Sequence, residues 1–237
     1  MKLWDGKKKA ITFSFDDGVT QDERLVKILN KYGLKATFNI NSSLLGLESC
    51  LDIEGVKINH NKINPSEVKR IYEGHEVAVH TLTHPNLTTL KDEIVVWQVE
   101  EDRKTLENLI GYPIVSMAYP CGGVNNDDRV AQIIKDSTKL KCARTIKSTY
   151  NFDLQDNLYR FNPTIHFIEC EKLFKLGKEF LELKTDEPKL FYIWGHSFEL
   201  DTNYITWKQF EEFCAMISKK DDVFYGTNKE TLLCCGV

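Results

Sequence analysis

Short apolar runs alternate with polar stretches of helical spacing along nearly the whole chain. Residues 10–15 predict a first strand, and Leu25, Ile28 and Leu29 then recur on one helix face until Gly33 stops it. A second strand follows at 36–40. Pro65 opens a short helix that Gly74 ends, 76–80 reads as the third strand, and 88–110 is the longest helix, with Thr88 placed to cap it. Beyond it, 115–119 is a short apolar strand, 127–135 a helix and 142–146 a strand. The period then fades. Residues 147–163 predict loop with strand fragments, followed by a helix at 171–183, a strand at 190–194, a helix at 205–218 and a last strand at 223–225. Strands that alternate with helices in this way build an α/β fold with a largely parallel sheet or barrel covered by helices. Residues 44–64 have mixed polarity and no period, which marks an inserted loop near a functional face.

No repeat, low-complexity tract or linker divides the 237 residues, and barrels of this kind reach ~250 residues as one unit, so residues 1–237 are expected to form a single domain. A composition of 42% hydrophobic and 28% charged residues supports a sizeable core and excludes disorder. The formal charge of -4 and pI near 5.9 give no electrostatic pull toward nucleic acid or an anionic membrane surface. The lysines of MKLWDGKKKA precede no apolar run, and no later stretch stays apolar for the ~18 residues of a span, so neither an export signal nor a membrane segment is expected. Seven cysteines without C-x-x-C spacing, one pair adjacent at Cys234 and Cys235, predict reduced thiols and a cytoplasmic location. Secretion stays open if a leader has been trimmed.

Chemistry concentrates at the predicted strand ends. His80 and His84 lie in HTLTH, a spacing that brings two imidazoles to one side if the chain turns helically on leaving its strand. The same spacing also occurs in surface pairs and in core histidines. His75 and Glu76 begin like H-E-x-x-H, but the next histidine is five residues on and faces the other side of a strand, so His75 is structural or solvent-facing. Asp16 and Asp17 end the first strand before Gly18. Their side chains diverge, which lets one hold a cation while the other receives a proton from water; the alternative is a helix cap beside a solvated carboxylate. Tyr119, Pro120, Cys121, Gly122 and Gly123 form a loop whose backbone N–H groups can face an oxyanion, or an ordinary strand-to-helix turn. His196, just past an apolar strand, is either a buried bonded histidine or a general acid. Functional side chains at the ends of four strands are how barrel enzymes assemble a site.

The order SFDDG, HTLTH, AYPCGG, WGHS resembles the polysaccharide deacetylase family, the carbohydrate esterases with a NodB-type domain, over about residues 10–230. The resemblance implies a distorted (β/α) barrel with fewer than eight strands and one divalent ion, most commonly zinc. It implies Asp17, His80 and His84 as metal ligands, Asp16 as general base, His196 as general acid and the Cys121 backbone N–H as oxyanion donor. The chain also departs from the family pattern. Ala118 stands where an arginine is frequent, and no D-x-x-D-W segment follows. Arg144 or Arg160 is expected to replace the guanidinium, and Glu199 to orient His196.

Two neutral imidazoles and one carboxylate leave an ion positively charged with open positions, the arrangement of a catalytic centre. The implied reaction is removal of acetyl groups from N- or O-acetylated carbohydrate, with Tyr119 and Trp194 offering flat surface to a sugar or, equally, packing the core. Carbohydrate or a small N-acetylated compound is thus the expected partner. Two rivals stay open: hydrolysis of another non-peptide C–N bond, as in a small cyclic amide or ureide, and a carbohydrate-binding protein that has lost turnover.

Overall fold

The computed structural model describes residues 3–234, so Cys235 of the adjacent cysteine pair lies outside the described residues. In chain order the elements are β1 (Lys9–Asp16), α1 (Asp22–Tyr32), β2 (Ala36–Ile40), β3 (Cys50–Ile53), β4 (Val56–Asn59), α2 (Val68–Ile71) and β5 (Glu76–Val79). Then come α3 (Asp92–Ile110), β6 (Ser116–Ala118), α4 (Asp128–Ser137), β7 (Cys142–Arg144), β8 (Ile165–His166), α5 (Cys170–Glu182), β9 (Lys189–Gly195), α6 (Trp207–Ile217), β10 (Val223–Tyr225) and α7 (Asn228–Leu232).

Strand β1 is buried along its whole length, and its two faces differ in character. Ile11, Phe13 and Phe15 enter the large apolar layer under the helices, where Phe13, Phe15, Phe38, Phe167 and Phe210 pack ring against ring. Ala10 belongs instead to a smaller cluster with Trp4, Cys142, Phe161, Leu190, Tyr192 and Leu232. On that same face Ser14 Oγ accepts hydrogen bonds from Asn39 at 2.8 Å, Arg144 at 3.2 Å and Asn228 at 3.2 Å. The alternation of residue types along one strand therefore separates an apolar outer layer from a polar inner one.

The sheet runs in the order β7-β6-β5-β2-β1-β9-β8, with every neighbouring pair parallel. This path of seven strands is the expected distorted barrel with fewer than eight. Strand β9 covers one edge of β1 from Lys9 to Phe15. The other edge is divided, with β10 along Lys9–Ile11 and β2 along Phe13–Asp16. Parallel register brings Asp16 beside Asn39, Phe15 beside Gly195, Ala118 beside Arg144 and His166 beside Trp194. All the carboxyl ends thus open on one rim.

The structure changes three local readings. Thr88 does not cap the long helix: it sits in a separate 3-10 turn, Leu87–Thr89, whose cap is Asn86, and α3 starts only at Asp92. Residues 44–64 are not plain loop but carry the antiparallel hairpin β3–β4, closed by Glu54 and Gly55, both with positive φ as a tight hairpin turn needs. Within the stretch that reads as loop and strand fragments lies the 3-10 turn Leu158–Arg160, and just after it the two-residue strand β8.

Candidate active site

Gly18 makes the first turn of the site possible. It has φ 61°, and a Cβ there would lie 3.0 Å from Ile40. The preceding Asp17, a non-glycine residue, is also left-handed, with φ 83°. Thr81 (69°), His84 (61°) and Cys121 (70°) share that conformation, so four of the nine non-glycine residues with positive φ among the described residues lie around this rim. Such backbone costs ~1–3 kcal/mol per residue and persists where surrounding contacts over-determine it.

The HTLTH segment is one such case, and it corrects the expected helical turn. Leu82 N–H donates to the Gln98 carbonyl at 2.9 Å, and the Gln98 side chain binds both the Thr83 N–H and its hydroxyl. With its backbone tied to α3, the segment loops, and the two left-handed residues fold His84 back over His80. Their rings stand 5.0 Å apart.

His80 is buried at the end of β5, and its Nδ1 donates to the Ala118 carbonyl at 2.9 Å, which turns the Nε2 lone pair inward. Burial pushes its pKa down to about 4, outweighing the charges of Asp16 and Asp17, so the ring is neutral. Burial likewise lowers His84. Asp17 Oδ1 lies 3.5 Å from His84 Nε2 and 3.8 Å from His80 Nε2, and this buried oxygen has no hydrogen-bond donor. Burial would raise the Asp17 carboxyl, but the His60 hydrogen bond, His196, Lys62 and His80 hold it well below the usual range. An ionised oxygen and two neutral imidazole lone pairs converging without a donor fit a divalent cation.

Asp16 faces the polar interior, where Arg144 binds both its oxygens and Asn39 donates to Oδ1 at 2.8 Å. Burial alone would raise its pKa; Arg144, with His80 and His196, lowers it instead. Of the two arginines expected to stand in for a guanidinium at Ala118, Arg144 is the one that pairs with Asp16, while Arg160 pairs with Asp128 and Asn126.

His196 follows β9, and its Nδ1 lies 3.2 Å from Glu199 Oε1, off the line of a hydrogen bond, so charge holds the pair. Glu199 Oε2 accepts the His166 Nε2 and the His196 backbone N–H, each at 2.8 Å. Burial would lower His196, yet Glu199, Asp17 and Asp16 push it up to about 9; burial would raise Glu199, yet His196 and His166 bring it down to about 2. The raised histidine stabilises the fold fully below its ordinary 6.5, and that contribution fades as pH rises through about 9. The depressed carboxylate contributes fully above its ordinary 4.5 and fades as pH falls toward about 2. Both contributions are complete only between 4.5 and 6.5. Glu199→Gln is expected to move the alkaline limb of any activity that requires protonated His196 to lower pH, checked by a kcat/KM profile; an unmoved limb would dissociate Glu199 from that proton.

Cys121 presents a backbone N–H that no acceptor engages among the described residues, and its Sγ lies 3.8 Å from His84 Nδ1. Tyr119 and Trp194, expected either as flat surface for a sugar or as core packing, are both buried. Tyr119 is 1% exposed and spends its hydroxyl on the Tyr159 carbonyl at 2.7 Å. Trp194 is 7% exposed, with the Arg144 guanidinium 4.6 Å from its ring and His166 stacked at 4.2 Å, so it supports those two side chains. His75 is structural, as expected: it is buried and accepts the Ala36 N–H at 3.2 Å. Sequence reasoning missed His60, Lys62 and His166. Ile58, His60 and Lys62 alternate toward the rim at the end of β4, the signal that could have found the first two; a two-residue strand leaves none for His166.

Residues 5–138 match the family model described as polysaccharide deacetylase. The chain is 31% identical over 121 residues to the peptidoglycan-N-acetylglucosamine deacetylase PgdA of Listeria monocytogenes, covering 49% of this chain and 22% of that protein. It is 27% identical over 155 residues to chitin deacetylase 1 of Cryptococcus neoformans, covering 63% and 29%. The chain therefore spans less than a third of the length of these curated relatives. Among solved structures, the Xyl-CE4 domain of a multidomain xylanase from the hindgut metagenome of Trinervitermes trinervoides superposes with a TM-score of 0.59 at 19% identity, over 97% of this chain and 92% of that one.

Proposed function

The chain belongs to the polysaccharide deacetylase family, and on that footing we propose that it is a metal-dependent hydrolase, one catalytic domain, that removes acetyl groups from N-acetylated carbohydrate. Asp17 Oδ1 carries this reading: a buried, undonated carboxylate oxygen within 3.8 Å of two imidazole nitrogens calls for a cation. The nitrogen-rich ligand set favours zinc over magnesium or calcium, which prefer oxygen. A divalent ion held by Asp17, His80 and His84 would supply Lewis acidity, bringing the pKa of a water toward ~7 and polarising the acetyl carbonyl.

The protein's own groups divide the remaining work. Asp16, held ionised by Arg144, receives the proton as water attacks. The free Cys121 N–H faces the negative charge that develops on the carbonyl oxygen. His196, kept protonated by Glu199, donates to the departing amine, which is otherwise a poor leaving group. PgdA is named for peptidoglycan N-acetylglucosamine and the Cryptococcus relative for chitin. Their common chemistry, an acetamide on a sugar ring, is the substrate class proposed for this chain. The Arg144 and Glu199 pairs supply on other residues what Ala118 and the missing D-x-x-D-W segment leave out, which supports turnover over mere binding.

The deciding experiment is elemental analysis of the purified chain, followed by acetate release from chitin oligomers and peptidoglycan fragments with and without chelator. Near-stoichiometric zinc and chelator-sensitive release are expected; a metal-free chain that still released acetate would overturn the proposal. His196→Ala should slow amide hydrolysis by ~10²-fold or more while sparing activated esters, whose leaving group needs no proton. Equal losses on both substrates would leave His196 a supporting role only.

A further inference from the structure

The hairpin β3–β4 reaches the rim at Asp17. Beyond β4 the chain pairs with the turn after β1: Val19 bridges Lys62, the Thr20 N–H donates to the Asn61 carbonyl at 2.8 Å, and the Ile63 N–H donates to Gly18 at 2.9 Å. Val19, Ile58 and Phe198 form a small apolar cluster beneath the hairpin, and the His60 ring stands edge-on to Phe198 with centroids 5.0 Å apart. This packing aims His60 Nε2 at Asp17 Oδ2, 2.9 Å away. A carboxylate oxygen only accepts, so Nε2 carries the proton. Lys62 Nζ donates to the Asp17 backbone carbonyl at 3.0 Å and secures the left-handed residue itself.

We propose that His60 is a positioning residue for the metal ligand Asp17: by engaging Oδ2 it leaves Oδ1, which Lys62 Nζ approaches only to 3.7 Å, to bind the cation, and it holds the carboxylate in place before the ion arrives. This rests on Asp17, His80 and His84 being the metal centre. The ligand nitrogens of His80 and His84 approach Oδ1, and His60 lies outside that cluster, on the opposite oxygen. Hydrogen-bond partners that orient a ligand typically account for ~10–100-fold in metal affinity.

The test uses the full chain with zinc alone, measured by competition with a chromophoric chelator, and with cobalt as a visible-absorption probe. His60→Ala is expected to weaken zinc binding ~10–100-fold and to alter the cobalt band as Asp17 gains freedom to bind through both oxygens. His60→Gln, whose amide nitrogen can stand near Nε2, should restore most of the affinity and the band. His60→Phe keeps the packing on Phe198 without a donor and should behave as His60→Ala. Folded variants with wild-type affinity and an unchanged cobalt spectrum would overturn the proposal; so would failure of all three to fold, which would make His60 a residue of the fold. Wild type that binds no zinc, or Asp17→Ala that binds it as wild type does, would instead refute the metal centre.

Discussion

Asp17→Ala is expected to give a folded chain that no longer retains zinc and whose turnover falls by more than ~10³-fold, since a catalytic ion contributes several kcal/mol to charge stabilisation in the transition state. The variant keeps His80 and His84, but two neutral imidazoles without the carboxylate bring no charge to balance the ion. The fold has reason to survive. Lys62 retains its bond to the backbone carbonyl of residue 17, and the pairing of residues 18–20 with 61–63 does not involve the lost side chain. Elemental analysis beside a circular-dichroism melt checks both halves. Stoichiometric zinc in the variant would remove Asp17 from the ligand set.

Arg144→Met is expected to cost ~3–5 kcal/mol of stability and most of the activity, because removing one partner of a buried ion pair leaves the other charge uncompensated. Both partners are 2% exposed or less, and Arg144 also reaches Ser14 and the Thr145 carbonyl while lying against Trp194. The double variant Asp16→Asn/Arg144→Met separates the two consequences. With neither charge present, stability should return toward wild type, whereas turnover should stay low because the proposed base is gone. Denaturant unfolding and acetate release measure the two independently. A double variant no more stable than Arg144→Met would mean that the guanidinium stabilises by packing rather than by charge.

Much of this architecture is legible in the sequence because periodicity and strand-end chemistry are local. The first strand shows as AITFSF, its turn as DDG, and the second and last sheet strands at 36–40 and 223–225 coincide with Ala36–Ile40 and Val223–Tyr225. The resemblance names Asp17, His80 and His84, and the structure brings those three together. What stays hidden depends on distance along the chain. The Asp16–Arg144 pair joins residues 128 apart, and nothing around position 144 distinguishes that arginine from Arg160. HTLTH suggests a helical turn because four-residue spacing usually means one; the competing hydrogen bonds come from Gln98, on another helix. Residue type alone leaves Tyr119 and Trp194 open between sugar surface and core packing, and only their burial favours packing. The hairpin escapes notice because its faces alternate weakly and its rim-facing residues are polar.

The left-handed conformations at Asp17, Thr81, His84 and Cys121 bear on any attempt to transplant this centre. Grafting an aspartate and two histidines at matching positions onto another barrel would reproduce the identities of the ligands but not their directions, which are set by kinked turns that the host's own loops have no cause to adopt. A portable unit would have to carry the turns together with what pins them: the Gln98 anchor, the Gly18 bend and the residues of the neighbouring hairpin.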